Sequence, residues 1–254
     1  MDITSQTVLI AGGTSGIGLE LARRLVAAGS TVIVGGRREA ILDALSGEGF
    51  GTVVLDVTDG RSIEHARNSV LARYPDLSML IVMSGVVLTE DLRDPDHTAD
   101  AEFMVATNLL GTIRVVDAFL PGFLARQSGT IVTVSSASAF VPNPSLPTYA
   151  ATKAGVHVYS EVLRVQLIGS GIDVVELVPP AVTTTPEREQ ANPDALRLGP
   201  FVDEVLSLLS AEPTPDEILV DRVVPIRWAQ RDGTYAKQFA DRSRAAGFSR
   251  SGAE

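Results

Sequence analysis

Thr7-Val8-Leu9-Ile10-Ala11-Gly12-Gly13-Thr14-Ser15-Gly16-Ile17-Gly18 is the stretch that decides the architecture. Thr7 to Ala11 is a short unbroken apolar run, as expected of a strand buried on both faces. Glycines follow at once, then Leu19 to Ala28 carries a helical period that Gly29 stops. Strand, glycine turn and helix together form a dinucleotide-binding context. The glycines let the backbone turn tightly, and a pyrophosphate can then rest on the N–H groups of the helix N-terminus. The spacing is Gly-x-x-x-Gly-x-Gly rather than Gly-x-Gly-x-x-Gly. Gly12, Thr14, Ser15, Gly16, Ile17 and Gly18 are the candidate phosphate contacts.

Working outward, the same alternation repeats. Short apolar runs at 31–34, 52–55, 77–82, 129–135 and 172–178 read as strands. Helical periodicity lies at 39–46, 61–74, 101–125, 149–169, 201–210 and 233–246. Thr58 or Asp59 can cap the third helix, and Pro75 closes it. Strands alternating with helices predict an α/β fold: a doubly wound parallel sheet flanked by helices on both faces, in one domain spanning 1–254. Residues 217–228 read as a strand, a helix or one of each. Residues 90–100 are polar and read as a surface loop, and 247–254 as a frayed tail. The aperiodic segment 181–199 leaves a strand's carboxyl end and is the candidate substrate lid. The helix around Asn108 is apolar on two faces, which predicts a subunit interface along it and along the helix after Tyr149.

Composition narrows the function classes. A net charge of −10 and a pI near 4.8 argue against nucleic acid or an anionic membrane as partners. Without cysteine there is no disulfide, thiolate catalysis or Cys-ligated metal, which fits a cytoplasmic protein. No basic segment precedes an apolar run at the N-terminus, and no apolar stretch reads as membrane-spanning. The three histidines lack metal-site spacing; His157 reads as a packed or exposed imidazole and Trp228 as a packing residue. No metal is expected.

The chemistry gathers at strand ends, where open α/β sheets carry their ligands. Gly35-Gly36-Arg37-Arg38 ends the second strand with no acid before Glu39. An Asp or Glu there would suit a ribose 2′-hydroxyl; Arg37, and next Arg38, suit a 2′-phosphate and hence NADP, with NAD the alternative. Asp56-Val57 ends the third strand; the carboxylate is either an acceptor for an adenine amino group or an ordinary loop acid. Ser84-Gly85 follows the fourth strand, and Ser136 the fifth. Tyr149 and Lys153 lie one helical turn apart, in a chain whose only other lysine is Lys237. A phenol beside an ammonium ion should have its pKa drawn down from about 10 toward the range of a general acid/base. Asn108 needs its amide satisfied, by a core hydrogen bond or as a water anchor behind Lys153.

These motifs resemble the short-chain dehydrogenase/reductase family in its single-domain form, over roughly residues 5–185. The likeness rests on Gly12-x-x-x-Gly16-Ile17-Gly18, Asp56-Val57, Asn108, Ser135-Ser136 and Tyr149-x-x-x-Lys153, in that order. The run 227–235 is similar, more loosely, to a bacterial Dlt-type oxidoreductase subgroup. Three departures stand out. Val82-Met83-Ser84-Gly85 replaces the family's Asn-Asn-Ala-Gly, Pro179-Pro180 replaces Pro-Gly, and the final strand ending in Asp-Gly-Gly is missing.

The resemblance implies a Rossmann-like fold and hydride transfer between a nicotinamide and a carbonyl or secondary alcohol. It assigns Ser136 to orient the substrate oxygen, Tyr149 as general acid/base, Lys153 to lower the tyrosine pKa and hold the nicotinamide ribose, and Asn108 to anchor a water. Pro179, Val182 and Thr184 join the expected cofactor contacts, with Val86, Val87, Ser138 and Phe140 as pocket walls for a small uncharged substrate. The expected assembly is a homodimer, with a tetramer as the alternative. A non-catalytic dinucleotide sensor is the competing class, which the intact Ser136, Tyr149 and Lys153 argue against. An epimerase or dehydratase would need a larger substrate domain. A carrier-bound ketone fits poorly with an acidic chain.

Overall fold

A computed structural model describes residues 1–248 apart from 186, 188, 189, 191 and 193. The strands are β1 (Thr7–Ala11), β2 (Thr31–Gly36), β3 (Gly51–Val54), β4 (Met79–Val82), β5 (Gly129–Val134), β6 (Ile172–Leu177), β7 (Val182–Thr183), β8 (Leu196–Arg197) and β9 (Glu217–Ile218). Seven of them form one parallel sheet in the order β3-β2-β1-β4-β5-β6-β9, while β7 and β8 pair separately. The helices are α1 (Gly16–Ala27), α2 (Glu39–Gly47), α3 (Gly60–Arg73), α4 (Thr98–Met104), α5 (Gly111–Arg126), α6 (Pro147–Gln166), α7 (Leu198–Leu209), α8 (Val224–Arg227) and α9 (Tyr235–Ala245). This is the doubly wound, Rossmann-like sheet that the sequence predicts. Residues 217–228 resolve into one strand and one helix, so β9 extends the sheet beyond β6.

Strand alternation divides the core between the two faces. Val8 and Ile10 join a cluster with Leu21 and Leu25 of α1 and Phe201 and Val205 of α7. Leu9 and Ala11 join the other cluster, with Val70 of α3 and Phe119 and Phe123 of α5. Each fully buried large side chain contributes about 1.5–3 kcal/mol. This double burial is why β1 reads as a continuous apolar run. Helix α1 begins at Gly16, three residues before the expected start at Leu19. The glycines therefore lie in its first turn.

The helical run 95–126 departs from expectation in two ways. Its 32 residues are long and apolar enough to cross a membrane by length and composition, which the sequence reading did not foresee. In the fold it lies along the sheet, with Val115, Val116, Phe119 and Phe123 buried. It also widens into a π-helical turn over Val105–Leu110, between α4 and α5.

Glu90 is a correction. It does not open a surface loop but is buried. Its carboxylate accepts from the Thr148 N–H (3.0 Å) and hydroxyl (2.9 Å) and lies 3.3 Å from His97 Nδ1. Pro147 supplies no N–H at the first position of α6, so Glu90 satisfies the next donor and fixes the end of the helix that carries Tyr149. We expect Glu90→Ala to destabilise the fold by about 2 kcal/mol in urea unfolding, since it strands these donors.

Candidate active site

The carboxyl ends of β1, β2, β3 and β4 open into a cavity of about 740 Å³. The strand order reverses between β1 and β4, the place where such sheets bind ligands. Gly12, Thr14, Ser15, Gly16, Ile17 and Gly18 form one wall. Gly12 has φ +94°, and a Cβ there would stand 2.6 Å from the Ser84 nitrogen. Gly16 has φ +55°. Arg37, Arg38, Asp56, Val57, Ser84, Gly85 and Thr184 complete most of the lining. Both arginines are exposed, and Arg38 Nη2 donates to Thr14 Oγ1 at 3.1 Å.

Asp56 is partly committed to its own loop, where Oδ1 accepts from the Thr58 N–H and hydroxyl. Burial pushes its carboxyl upward, but the two Thr58 bonds and the nearby Arg37 leave it below the ordinary carboxylate value. Sequence reasoning missed Gly36, Leu55, Met83, Thr107 and Thr185 in this wall. Thr107 Oγ1 is buried with no hydrogen-bond partner among the described residues. A dinucleotide fits this cavity by its left-handed glycine turn, its free helix N-terminus, its cationic mouth and the unmatched Thr107 hydroxyl.

The candidate catalytic groups Asn108, Ser136, Tyr149 and Lys153 do not line this cavity themselves; its wall comes nearest to them at Gly85. A Cβ on Gly85 would stand 3.6 Å from Lys153 Nζ and 3.4 Å from Asn108 Oδ1. Asn108 is fully buried in the π-helical turn. Its Oδ1 accepts from the Val86 N–H (2.8 Å), and its Nδ2 donates to Val86 O (2.9 Å) and Thr152 Oγ1 (3.3 Å). The amide is therefore spent clamping the strand exit after β4. Ser136 follows β5 and its Oγ accepts from the Ser138 N–H at 3.1 Å. Lys153 is buried, and Nζ donates to Val134 O at 2.8 Å. The ammonium also lies 5.8 Å from the Tyr149 ring centroid.

Electrostatics here correct one expectation. The Tyr149 phenol is not drawn down on balance in this geometry. Burial pushes the phenol above 10, and Ser136 opposes that shift. Burial lowers Lys153 from 10.5 to about 8, opposed by the Glu176 carboxylate.

Several expected contacts stand elsewhere. Pro179 and Val182 do not line the cavity: Pro179 O accepts from the Ala137 N–H, and Val182 pairs with Leu196. Val86 is in the wall, whereas Val87 is exposed. Phe140 packs edge-on against His157, and the Arg227 guanidinium sits 4.5 Å above its ring, away from the cavity. His157 is neither simply packed nor exposed; its Nδ1 meets Glu176 at 2.8 Å. Trp228 is covered by Arg227 and Arg231. The lid has no complete description, since 186, 188, 189, 191 and 193 lie outside the described residues. The tail residues 249–254 lie outside them too.

One acidic cluster has metal-like proximity: ligand atoms of His157, Glu161 and Glu217 lie within 4.8 Å of one another. Arg227 already occupies it, donating to both Glu217 oxygens at 2.6 and 2.8 Å.

Residues 6–195 match the short chain dehydrogenase family model, and the chain belongs to that family. It is 35% identical over 188 residues to the uncharacterized oxidoreductase DltE of Bacillus subtilis, covering 72% of this chain and 74% of that one. It is also 35% identical over 181 residues to the NADP-dependent 3-hydroxy acid dehydrogenase YdfG of Salmonella typhi, covering 70% and 73%. A solved short-chain dehydrogenase from Streptomyces avermitilis superposes with a TM-score of 0.81 at 25% identity, covering 98% of this chain and 100% of that one. The chain is thus an oxidoreductase of this family, similar to DltE.

The glycine turn gives a test of the cavity's geometry. We expect Gly12→Ala to lose roughly 1–3 kcal/mol of stability, from positive φ and the clash with Ser84. Gly47→Ala, at the end of α2 with no atom within 4 Å of the new Cβ, should lose nothing. Parallel urea melts of the two variants check this.

Proposed function

We propose that the chain is an NADP(H)-dependent reductase or dehydrogenase acting between a carbonyl and a secondary alcohol. The observation that carries the reading is continuity. One cavity joins a pyrophosphate-type glycine turn and two arginines to Gly85, and Gly85 abuts Lys153 and Asn108. Gly12, Thr14, Ser15, Gly16, Ile17 and Gly18 would hold the pyrophosphate. Arg37 and Arg38 would hold a 2′-phosphate, Asp56 and Val57 the adenine, and Ser84, Gly85 and Thr184 the nicotinamide half. The bound dinucleotide would supply the hydride.

The chain's own residues would handle the oxygen and its proton. Ser136 would hold the substrate oxygen, its hydroxyl oriented by the bond from the Ser138 N–H. Tyr149 would give its proton to that oxygen during reduction and take it back during oxidation. A phenol kept protonated by burial suits the first role. Lys153 would stabilise the phenolate left behind, and a dinucleotide ribose would give its remaining N–H groups partners. Asn108 would act indirectly, through the Val86 backbone and Thr152.

The NADP choice is supported by Arg37 and Arg38 at the cavity wall and by the relative named as NADP-dependent. Titration with NADPH and NADH, followed by nicotinamide fluorescence, tests it. NADPH should bind about 10–100-fold more tightly, and Arg37→Ala should remove most of that difference. Tyr149→Phe should keep the binding and lose roughly 10²–10⁴-fold in turnover on a reducible ketone. Tight NADH binding would reassign the cofactor. Binding without turnover on any carbonyl would favour a sensor.

We further propose that the working unit is a homodimer, built where α5 and α6 expose Leu110 (just before α5), Leu124, Val158, Val162, Val165 and Ile168. Val165 on α6 is 66% exposed and Ile168, in the turn just after it, 78%; an exposed apolar patch of this kind suits a subunit contact. Sedimentation velocity should give a dimer that Val165→Glu converts to monomer. A wild-type protein that runs as a monomer at micromolar concentration would rule this interface out.

A further inference from the structure

The face of β5 and β6 under α6 is apolar toward its amino ends, where Ile131, Ile172 and Val174 join Leu163 and Leu167, and turns polar toward the carboxyl ends. Thr133 of β5 and Glu176 of β6 are register partners and so point to the same side of the sheet. Thr133 meets Ser160 of α6 (Oγ1 to Oγ, 2.6 Å), and Glu176 meets His157 of α6 (Oε2 to Nδ1, 2.8 Å). Strand alternation puts Ser135 on that side as well, one step nearer the catalytic end. On α6, Lys153, His157 and Ser160 form one stripe at helical spacing.

Glu176 is fully buried, yet only one of its oxygens is used. Its Oε1 and the Ser135 hydroxyl are buried without hydrogen-bond partners. Lys153 shows the complementary imbalance. It is buried, and among the described residues only one of its three N–H groups has an acceptor, Val134 O. A buried ammonium and a buried carboxylate, each only partly satisfied on one side of one sheet, are costly apart and compensate each other together.

We propose that Glu176 is the counter-charge of Lys153: a positioning residue that keeps the ammonium cationic beside Tyr149, with His157 and Glu161 linking it to solvent. This rests on the reductase reading for its purpose, and on geometry for its existence. The charged and titratable groups around the pair can be named element by element. Tyr149, His157 and Glu161 lie on α6 itself. Glu176 is on β6, Glu217 on β9 and Arg227 on α8. Arg227 is engaged by Glu217, and His157 Nε2 lies 3.6 Å from the half-exposed Glu161. Burial opposes protonation of His157, but Glu176 and then Glu161 outweigh it and raise its pKa above the ordinary imidazole value, with Arg227 in opposition. Burial disfavours the charged form of Lys153, and among the described residues Glu176 is the one carboxylate that opposes it.

The two-lysine sequence makes the test direct. In cofactor-free protein carrying ¹³C-labelled lysine, Lys153 and Lys237 give the only lysine ε-methylene signals, and Lys237→Arg assigns them. The Lys153 titration midpoint should fall by about one pH unit in Glu176→Gln. It should fall by a smaller step in Glu176→Asp, which retracts the charge by one methylene and serves if the first variant does not fold. An unchanged midpoint in either folded variant overturns the proposal.

Turnover gives a second readout. The limb of the pH–rate profile that falls as pH rises should move to lower pH by the same step, whereas a merely structural role would lower turnover equally at every pH. The lysine titration needs no substrate. A shifted midpoint in a protein without reductase activity would therefore sink the reductase reading and leave the Lys153–Glu176 coupling intact.

Discussion

The molecule depends on one strand holding two parallel neighbours whose connections run in opposite directions. β1 pairs with β2 on one side and β4 on the other. The helices that follow them must diverge, one to each face, and the carboxyl ends are left open between them. The ends of β2 and β3 continue the same opening on one side. The glycine turn is the local answer to that opening. With a side chain at Gly12, the exits of β1 and β4 would collide at Ser84.

A second constraint acts on the other half of the site. α6 must lie flat on β5 and β6 to bring its first turns to the end of β5. Apolar packing does this at one end, through Leu163 against the strands, while nearer the site the contact is made through Thr133–Ser160 and Glu176–His157. Buried polar pairs have fewer acceptable geometries than apolar ones, so they fix the helix's rotation and register more tightly. Lys153 sits one turn from His157, and its placement inherits that accuracy. At the other end of the helix, Glu90 fixes the first turn from a loop 58 residues earlier.

How much of this the sequence carried depends on how local the signal was. β1, the glycine turn and α1 are contiguous, so period and residue type suffice. Tyr149 and Lys153 are one turn apart on a single helix, and Arg37 and Asp56 are read from strand ends. Glu90 and Glu176 were missed because their partners lie far along the chain. A trace of Glu176 was visible, since Val174-Val175-Glu176-Leu177-Val178 places an acid inside an apolar strand. The expected fall in the Tyr149 pKa reckoned with the neighbouring charge and not with the burial of the phenol, which is a tertiary fact. So is the hydrogen bond from Lys153 to Val134 O. Phe140 was placed at the pocket by its position after Ser136, but its ring has a better aromatic and cationic neighbourhood on the other side.

The wide turn at Val105–Leu110 has a consequence for how this helical run can vary. A π turn holds one residue more than an α turn, so it rotates everything after it by about 100° relative to everything before it. α4 can therefore face α6 while α5 faces α3 and the sheet, although the two form one unbroken rod. The rod behaves as two helices with separately chosen faces, joined by a phase shift and not by a loop. Deleting any one residue between 105 and 110 would cancel the shift and leave an ordinary, smoother helix. That helix could no longer hold α4 to α6 and α5 to α3 and the sheet at once. The irregularity is thus the feature that a deletion would remove most easily and that the cavity wall could least do without.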